Sequence, residues 1–206
     1  SLAISVATGT MALTLIAAGL ISDRIGRRPV MVMALLCSSL FTIVAPLGFD
    51  VTTVAVVDRH DPARTVGIDL LIADTLTKRR VLATNPATRA DMRDAAHALF
   101  ARDGKAVSVI RDSGGFVTQR VVATIVNIAC DICQQGICSP QDLELAVTLG
   151  LGYPMGPLAL GDKLGPDNLL ETLFNLQTVY GDPRYRPSPW LRRRGAIGLS
   201  LMHPEH

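Results

Sequence analysis

Two stretches of this chain carry no charged residue at all, Ser1 to Ser22 and Pro29 to Phe49. Each is close to the ~20 residues that an α-helix needs to cross the hydrocarbon layer of a bilayer. The first fifty residues hold five charges, Asp23, Arg24, Arg27, Arg28 and Asp50, whereas the other 156 hold 33. The chain therefore reads as parts of different chemistry. The charges of the first part lie between the apolar runs and not ahead of them, which fits a two-helix membrane hairpin over residues 1–50 better than a secretory signal. A pair of buried helices in a soluble core is the alternative.

The whole chain has 206 residues, 49% of them hydrophobic, with a net charge of +2 and a mean hydropathy of +0.33. That is ample for a buried core and too apolar for disorder. The near-neutral balance lacks the clustered basic excess of a nucleic-acid binder. Four cysteines are too few for a disulfide scaffold.

Between the apolar runs lies Gly19-Leu-Ile-Ser-Asp23-Arg24-Ile-Gly26-Arg27-Arg28-Pro29. Its three arginines against one aspartate mark a cytoplasmic loop by the positive-inside rule. The segment resembles the signature joining the second and third membrane helices of major facilitator transporters. Such transporters form their site between two many-helix halves, so two spans imply a transporter fragment and not transport. Insertion of residues 1–50 would place the chain at an inner membrane, with residues 51–206 in the cytoplasm.

After Asp50 the pattern changes. The β-branched run Val51–Val57 reads as a strand, as do Thr65–Ile72, Arg79–Thr84 and Ala106–Ile110, with a helix over Ala90–Arg102. This order suggests a small parallel α/β unit over residues 51–111. Residues 112–206 read as all-helical. A long helix covers Phe116–Gln135, with Val117, Val121, Ile125, Ile128 and Ile132 at helical spacing. Ser139-Pro140-Gln141-Asp142 has the composition of a helix start, and that helix runs to the glycines at 150 and 152. Further helices are predicted from Pro157, over Pro166–Tyr180, and over Pro189 to about Leu201.

Residues 51–206 resemble the 3-hydroxyacyl-CoA dehydrogenase family. The segment from Val107 through Ser113-Gly-Gly-Phe116 to Gln119-Arg120 is similar to that family's link between its NAD-binding and helical domains. Ser139-Pro140-Gln-Asp-Leu143, followed by Gly152-Tyr153-Pro154-Met-Gly156-Pro157, is similar to the most distinctive stretch of its helical domain. The ending from Tyr180 to Arg194 resembles the second unit of tandem-type members. The expected fold is thus mainly α: an apolar hairpin, a remnant Rossmann-like α/β unit, and a helical C-terminal dehydrogenase-type domain. The resemblance implies an acyl-CoA substrate class, NAD for the complete family enzyme, and a homodimer or a complementary catalytic half as partner. A purely structural oligomerisation module built on the Phe116–Gln135 helix is a further alternative. The join near residues 46–55 matches neither family's continuation and reads as a fusion.

The resemblance implies little chemistry in this chain. The family's catalytic histidine falls on Asp69 and its glutamate on Val81. Valine cannot orient a base, and aspartate has neither the pKa nor the reach of imidazole. Gln119 stands at the family's helical-domain asparagine. The Gly-rich dinucleotide fingerprint is absent, because Gly150, Gly152 and Gly156 have the wrong spacing and follow a helix. No cofactor and no metal is expected in this chain. Cys130-Asp-Ile-Cys133, with Cys138 nearby, reads as small buried cysteines inside an apolar helix. His97 reads as solvated, His60 as part of a surface turn, and His203 and His206 as tail residues. Arg192-Arg193-Arg194 reads as a solvated helix face with an anion contact as the alternative, and Tyr153 and Trp190 as packing anchors.

Overall fold

A computed structural model of the chain describes residues 42–71 and 78–205. The expected hairpin lies outside the described residues as far as residue 41, and so does the transporter-like loop at 19–29. The end of the second apolar run is described, and it is not helical: Thr42–Val44 is a strand, and Ala45 to Phe49 have no regular structure. One helix over residues 29–49 therefore does not form. No helix among the described residues is long and apolar enough to cross a membrane.

The chain divides into two compact units. The first is α/β, with described residues 42–46, 50–69 and 78–113. Its elements are β1 (Thr42–Val44), α1 (Val51–Val57), β2 (Thr65–Ile68), β3 (Arg79–Thr84), α2 (Ala90–Phe100) and β4 (Ala106–Arg111). The sheet order is β1-β2-β3-β4. The pairs β1–β2 and β3–β4 are parallel, joined through α1 and α2, but β2–β3 is antiparallel. The expected all-parallel sheet is thus mixed. Only ten residues separate Ile68 from Arg79, and a parallel crossover needs a dozen or more. Val66, Ile68, Leu82, Met92 and Ala96 form the core, with Ile43, Leu99, Phe100, Val107 and Val109 packed around them.

The run Val51–Val57 is a helix and not the expected strand. Asp50 caps it, accepting from Thr53 N at 2.7 Å and from Thr53 Oγ1 at 2.8 Å. Asp112 accepts from Val51 N at 2.6 Å and from Thr52 N at 2.8 Å. The buried residues are Val51 and Ala55, four apart, while Val56 and Val57 are exposed. Capping and a helical burial period here outweigh β-branched propensity.

The second unit is helical, with described residues 47–49, 70–71 and 114–205. Its helices are α3 (Thr118–Gln134), α4 (Pro140–Leu151), α5 (Pro157–Leu164), α6 (Pro166–Tyr180) and α7 (Pro189–Ile197). Four of the five begin with proline at the first turn, where its missing N–H is not needed. The helices α5, α6 and α7 all pack on α3. The last helix stops at Ile197, short of the expected Leu201, because Gly198 takes a left-handed conformation. Residues 46–55 are structurally integrated: Leu47 O accepts from Asn175 Nδ2 at 2.7 Å, Phe49 O accepts from Gly115 N, and Asp50 starts α1.

In the α/β unit, Arg80 on β3 forms a two-point bond with Asp103, just after α2, at 2.8 and 2.7 Å. This guanidinium contact holds the Asp103 carboxyl below the usual carboxylate range. A depressed folded pKa gives stability that is present above the unfolded pKa and lost as pH falls through the folded one. Asp103→Asn is expected to lower stability by at most ~1 kcal/mol at pH 7 and to flatten the loss between pH 5 and 2. Urea unfolding across that pH range measures both.

Candidate functional site

The two positions that sequence reasoning assigns to a histidine and a glutamate lie side by side. The β2–β3 register pairs Ile68 with Leu82, and continuing it brings Asp69 N to Val81 O at 3.1 Å. Both residues are half-buried. The backbone holds a position just past β2 beside one inside β3, but the side chains on them are a carboxylate and an isopropyl group. Val81 has no titratable atom, so the pair cannot pass a proton between its side chains.

The strand–loop–helix from β1 to α1 is the segment of this unit that could cradle a phosphate. A dinucleotide site uses free N–H groups at a helix N-terminus against the pyrophosphate. Here the N–H groups of Val51, Thr52 and Thr53 are already bonded to Asp112 and Asp50. Two carboxylates stand where the negative phosphates would go, so these residues do not fit NAD at this position.

In the helical unit, the Gly-Gly-Phe turn is built around Phe116, which is 1% exposed and has φ +46. A left-handed phenylalanine is strained and persists only where its surroundings fix it. Arg120 supplies part of that fixing: its Nη2 donates to Gly114 O at 3.2 Å and to Phe116 O at 3.1 Å, and its guanidinium lies over the Tyr180 ring. Tyr180 Oη donates to Gly114 O at 3.4 Å. Phe116 therefore precedes the helix, which starts at Thr118 and not at the expected Phe116. Gln119 is fully buried, and its Oε1 accepts from Gly48 N at 2.9 Å. Ser113, half-buried, belongs to the α/β unit.

The second motif is a connection between helices. Ser139 caps α4, accepting from Asp142 N at 3.1 Å and donating to the Asp142 carboxylate at 2.7 Å. Gly152 ends α4 at φ +68. Tyr153 and Pro154 are exposed, so Tyr153 is not the expected packing anchor, whereas Trp190 is 3% exposed and donates from Nε1 to Leu201 O. Pro157 is buried at the start of α5. Sequence reasoning missed Glu144. Its carboxylate accepts from Leu158 N at 2.7 Å and Ala159 N at 3.4 Å, capping α5 from outside. A Cβ at Gly156 would overlap that carboxylate. The available signal was the glycine itself: with no side chain at the N-cap, the donors of α5 need an acceptor from elsewhere. On the outer side of α4, Leu145 and Leu149 are exposed one turn apart.

Cys130 and Cys133 are buried thiols. Burial pushes Cys130 far above its ordinary value and raises Cys133 to about 11. Neither is a thiolate at neutral pH, and among the described residues no three His, Cys, Asp or Glu side chains gather for a metal. His60 is half-buried, its Nε2 4.0 Å from Asp58 Oδ2, so it is less open than the expected surface turn. His97 and His203 are exposed. The Arg192–Arg194 run is not one solvated face. Arg194 is 3% exposed, stacks on Trp190 and donates from Nη2 to His203 O at 2.6 Å. Arg192 and Arg193 are exposed.

The chain thus has a small α/β unit followed by a helical unit that carries the Gly-Phe turn and the Gly-Tyr-Pro-Met-Gly-Pro connection. Residues 115–200, which fall in the helical unit, match the family model described as 3-hydroxyacyl-CoA dehydrogenase, C-terminal domain. The chain is similar to a 3-hydroxyadipyl-CoA dehydrogenase of Escherichia coli (strain K12), 46% identical over 96 residues, 47% of this chain and 20% of the relative. It is 33% identical to a probable 3-hydroxybutyryl-CoA dehydrogenase of Bacillus subtilis (strain 168) over 69% of this chain and 50% of the relative. A crystal structure of 3-hydroxybutyryl-CoA dehydrogenase from E. coli K12 matches with a TM-score of 0.69 at 34% identity, covering 77% of this chain and 32% of that one. That of (S)-3-hydroxybutyryl-CoA dehydrogenase from Ralstonia eutropha matches with a TM-score of 0.70 at 25% identity, covering 81% and 61%. The chain spans half or less of the length of these two curated relatives.

The α4–α5 connection yields a double-mutant test. Gly156→Ala is expected to cost about 1–3 kcal/mol by overpacking against Glu144, and Glu144→Ala about 1 kcal/mol by uncapping α5. Because the two act on one contact, the double variant should cost less than their sum. Chemical denaturation of the four proteins measures the coupling; strict additivity would refute the contact.

Proposed function

We propose that this chain supplies the helical, substrate-closing and dimerising part of a 3-hydroxyacyl-CoA dehydrogenase, acting in the cytoplasm with an NAD-binding, proton-transferring part that it does not itself provide. The observation that carries the reading is the Asp69–Val81 neighbourhood. Asp69, just past the end of β2, and Val81, inside β3, are the positions on which the resemblance puts the family's histidine and glutamate, and neither side chain can do the work of an imidazole. Asp50 and Asp112 on the N-terminus of α1 point the same way, since they oppose a bound pyrophosphate electrostatically. The acyl-CoA class is carried over from the names of the relatives, and NAD for the whole enzyme from the family resemblance.

Two exposed apolar faces suit the closing and dimerising roles. Val117, Val121 and Ile128 lie on one side of α3, and Leu145 and Leu149 on α4 near Tyr153. Apolar groups left in water at helical spacing are stabilised when covered. In this reading α3 carries the partner contact and the α4–α5 connection faces the acyl chain.

Purified full-length chain mixed with acetoacetyl-CoA and NADH is expected to show no loss of absorbance at the nicotinamide band above the blank. Turnover that survives repurification and falls with Asp69→Asn would overturn the reading. Sedimentation velocity tests the second part: the chain is expected to run as a dimer, and Val121→Glu, which buries a charge in that contact, as a monomer. A monomeric parent protein would remove dimerisation from the assignment.

A further inference from the structure

A cleft of about 440 Å³ opens beside the start of α7, lined by Arg186, Pro187, Pro189, Arg192, Arg193 and Ala196. Its volume falls within the ~300–1,000 Å³ of small-molecule sites. Three of its six lining residues are arginines, and none is acidic. The three are committed to different degrees. Arg193 is tied down, donating to Gln134 Oε1 at 2.8 Å and pairing with Glu205 at 2.5 Å. Arg186 stands 3.7 Å from Asp131, beyond hydrogen-bond length, with its side chain 58% exposed. Arg192 lies over the Phe174 ring, 5.9 Å from its centroid, and has no carboxylate within ion-pair distance among the described residues. Two planar forks are therefore available without breaking a strong internal pair.

The backbone beneath them is fixed. Pro187 and Pro189 lock φ on either side of Ser188, whose N–H donates to Asn127 Oδ1 at 2.7 Å. Arg186 O accepts from Asn127 Nδ2 at 2.9 Å, so one buried asparagine holds both ends of this turn. Arg192 is rooted in α7, whose first turn has no acidic residue. A rigid base with uncommitted guanidinium groups loses little entropy on binding.

We propose that this cleft binds a phosphate-bearing anion, with Arg186 and Arg192 as the ligating forks and Arg193 as a fixed positive wall. Guanidinium groups meet phosphate oxygens through paired, charge-assisted hydrogen bonds, a match that a single carboxylate or chloride does not fill across two arginines. The site uses none of Asp50, Asp69, Val81 and Asp112, the residues that carry the proposed function, so either can fail without the other.

The probe is inorganic pyrophosphate, titrated calorimetrically into the full-length chain at ionic strength held constant with sodium chloride. Saturable one-to-one binding is expected. The variant Arg186→Gln/Arg192→Gln should bind at least about tenfold more weakly, with an unchanged circular dichroism spectrum and melting temperature, since both side chains are exposed. A second arm asks where the phosphate comes from. Co-sedimentation with phosphatidylglycerol vesicles but not phosphatidylcholine vesicles, lost in the double variant, would assign a lipid headgroup. Pyrophosphate binding without variant-sensitive vesicle binding would assign a free ligand. Absence of saturable binding in both arms, or equal binding by the double variant, would overturn the proposal.

Discussion

The helical unit depends on how closely its other helices approach α3. The inward side of α3 is made of small residues, with Ala123, Val126, Ala129, Cys130 and Cys133 all buried. Across from them, Gly161 of α5 sits so near that an added Cβ would press on Val126 and Leu201. Small-to-small contact brings helix axes together and lets the larger leucines at 158, 169, 173, 176 and 191 close the core around the seam. This explains why cysteines occur there. They are used for their volume, and burial keeps their protons on.

That dependence also explains what could be read in the sequence. The bounds of α6 were legible to the residue, because Pro166 and Gly181 punctuate a long helical period. Ser139 and Gly152 delimited α4 for the same reason. Where local signals conflicted, tertiary contacts decided. Val51–Val57 has the composition of a strand, yet Asp112, about sixty positions away, supplies two of the acceptors that make it a helix. Nothing local announces such a partner. The mixed sheet was legible in principle from the shortness of the β2–β3 connection, a cue stronger than the alternation of elements that suggested a parallel sheet.

Of the candidate site, the motif positions could be found in sequence, but their roles could not. Gln119 was identified as a substitution at a family position; its bond to Gly48, 71 residues earlier, is a structural use that no spacing reveals. Gly156 is marked in the sequence only as part of a family-like motif, and its φ of −68 is open to any residue. What requires glycine there is the Glu144 carboxylate in the space of a Cβ. Arg194 looked like its two neighbours, and only the Trp190 face and the carbonyl of His203 separate it from them.

The contrast between Asp69–Val81 and the Ser139–Pro157 connection follows from what each demands of side chains. A β-ladder is held by backbone N–H and C=O groups, which every non-proline residue supplies. Residues 69 and 81 can therefore remain neighbours with almost any pair of side chains. The helix connection has no such tolerance. Ser139, Glu144, Gly152 and Gly156 each satisfy a donor, a left-handed turn or a steric limit that few other residues meet. The two places therefore differ in how narrowly the fold itself limits their side chains.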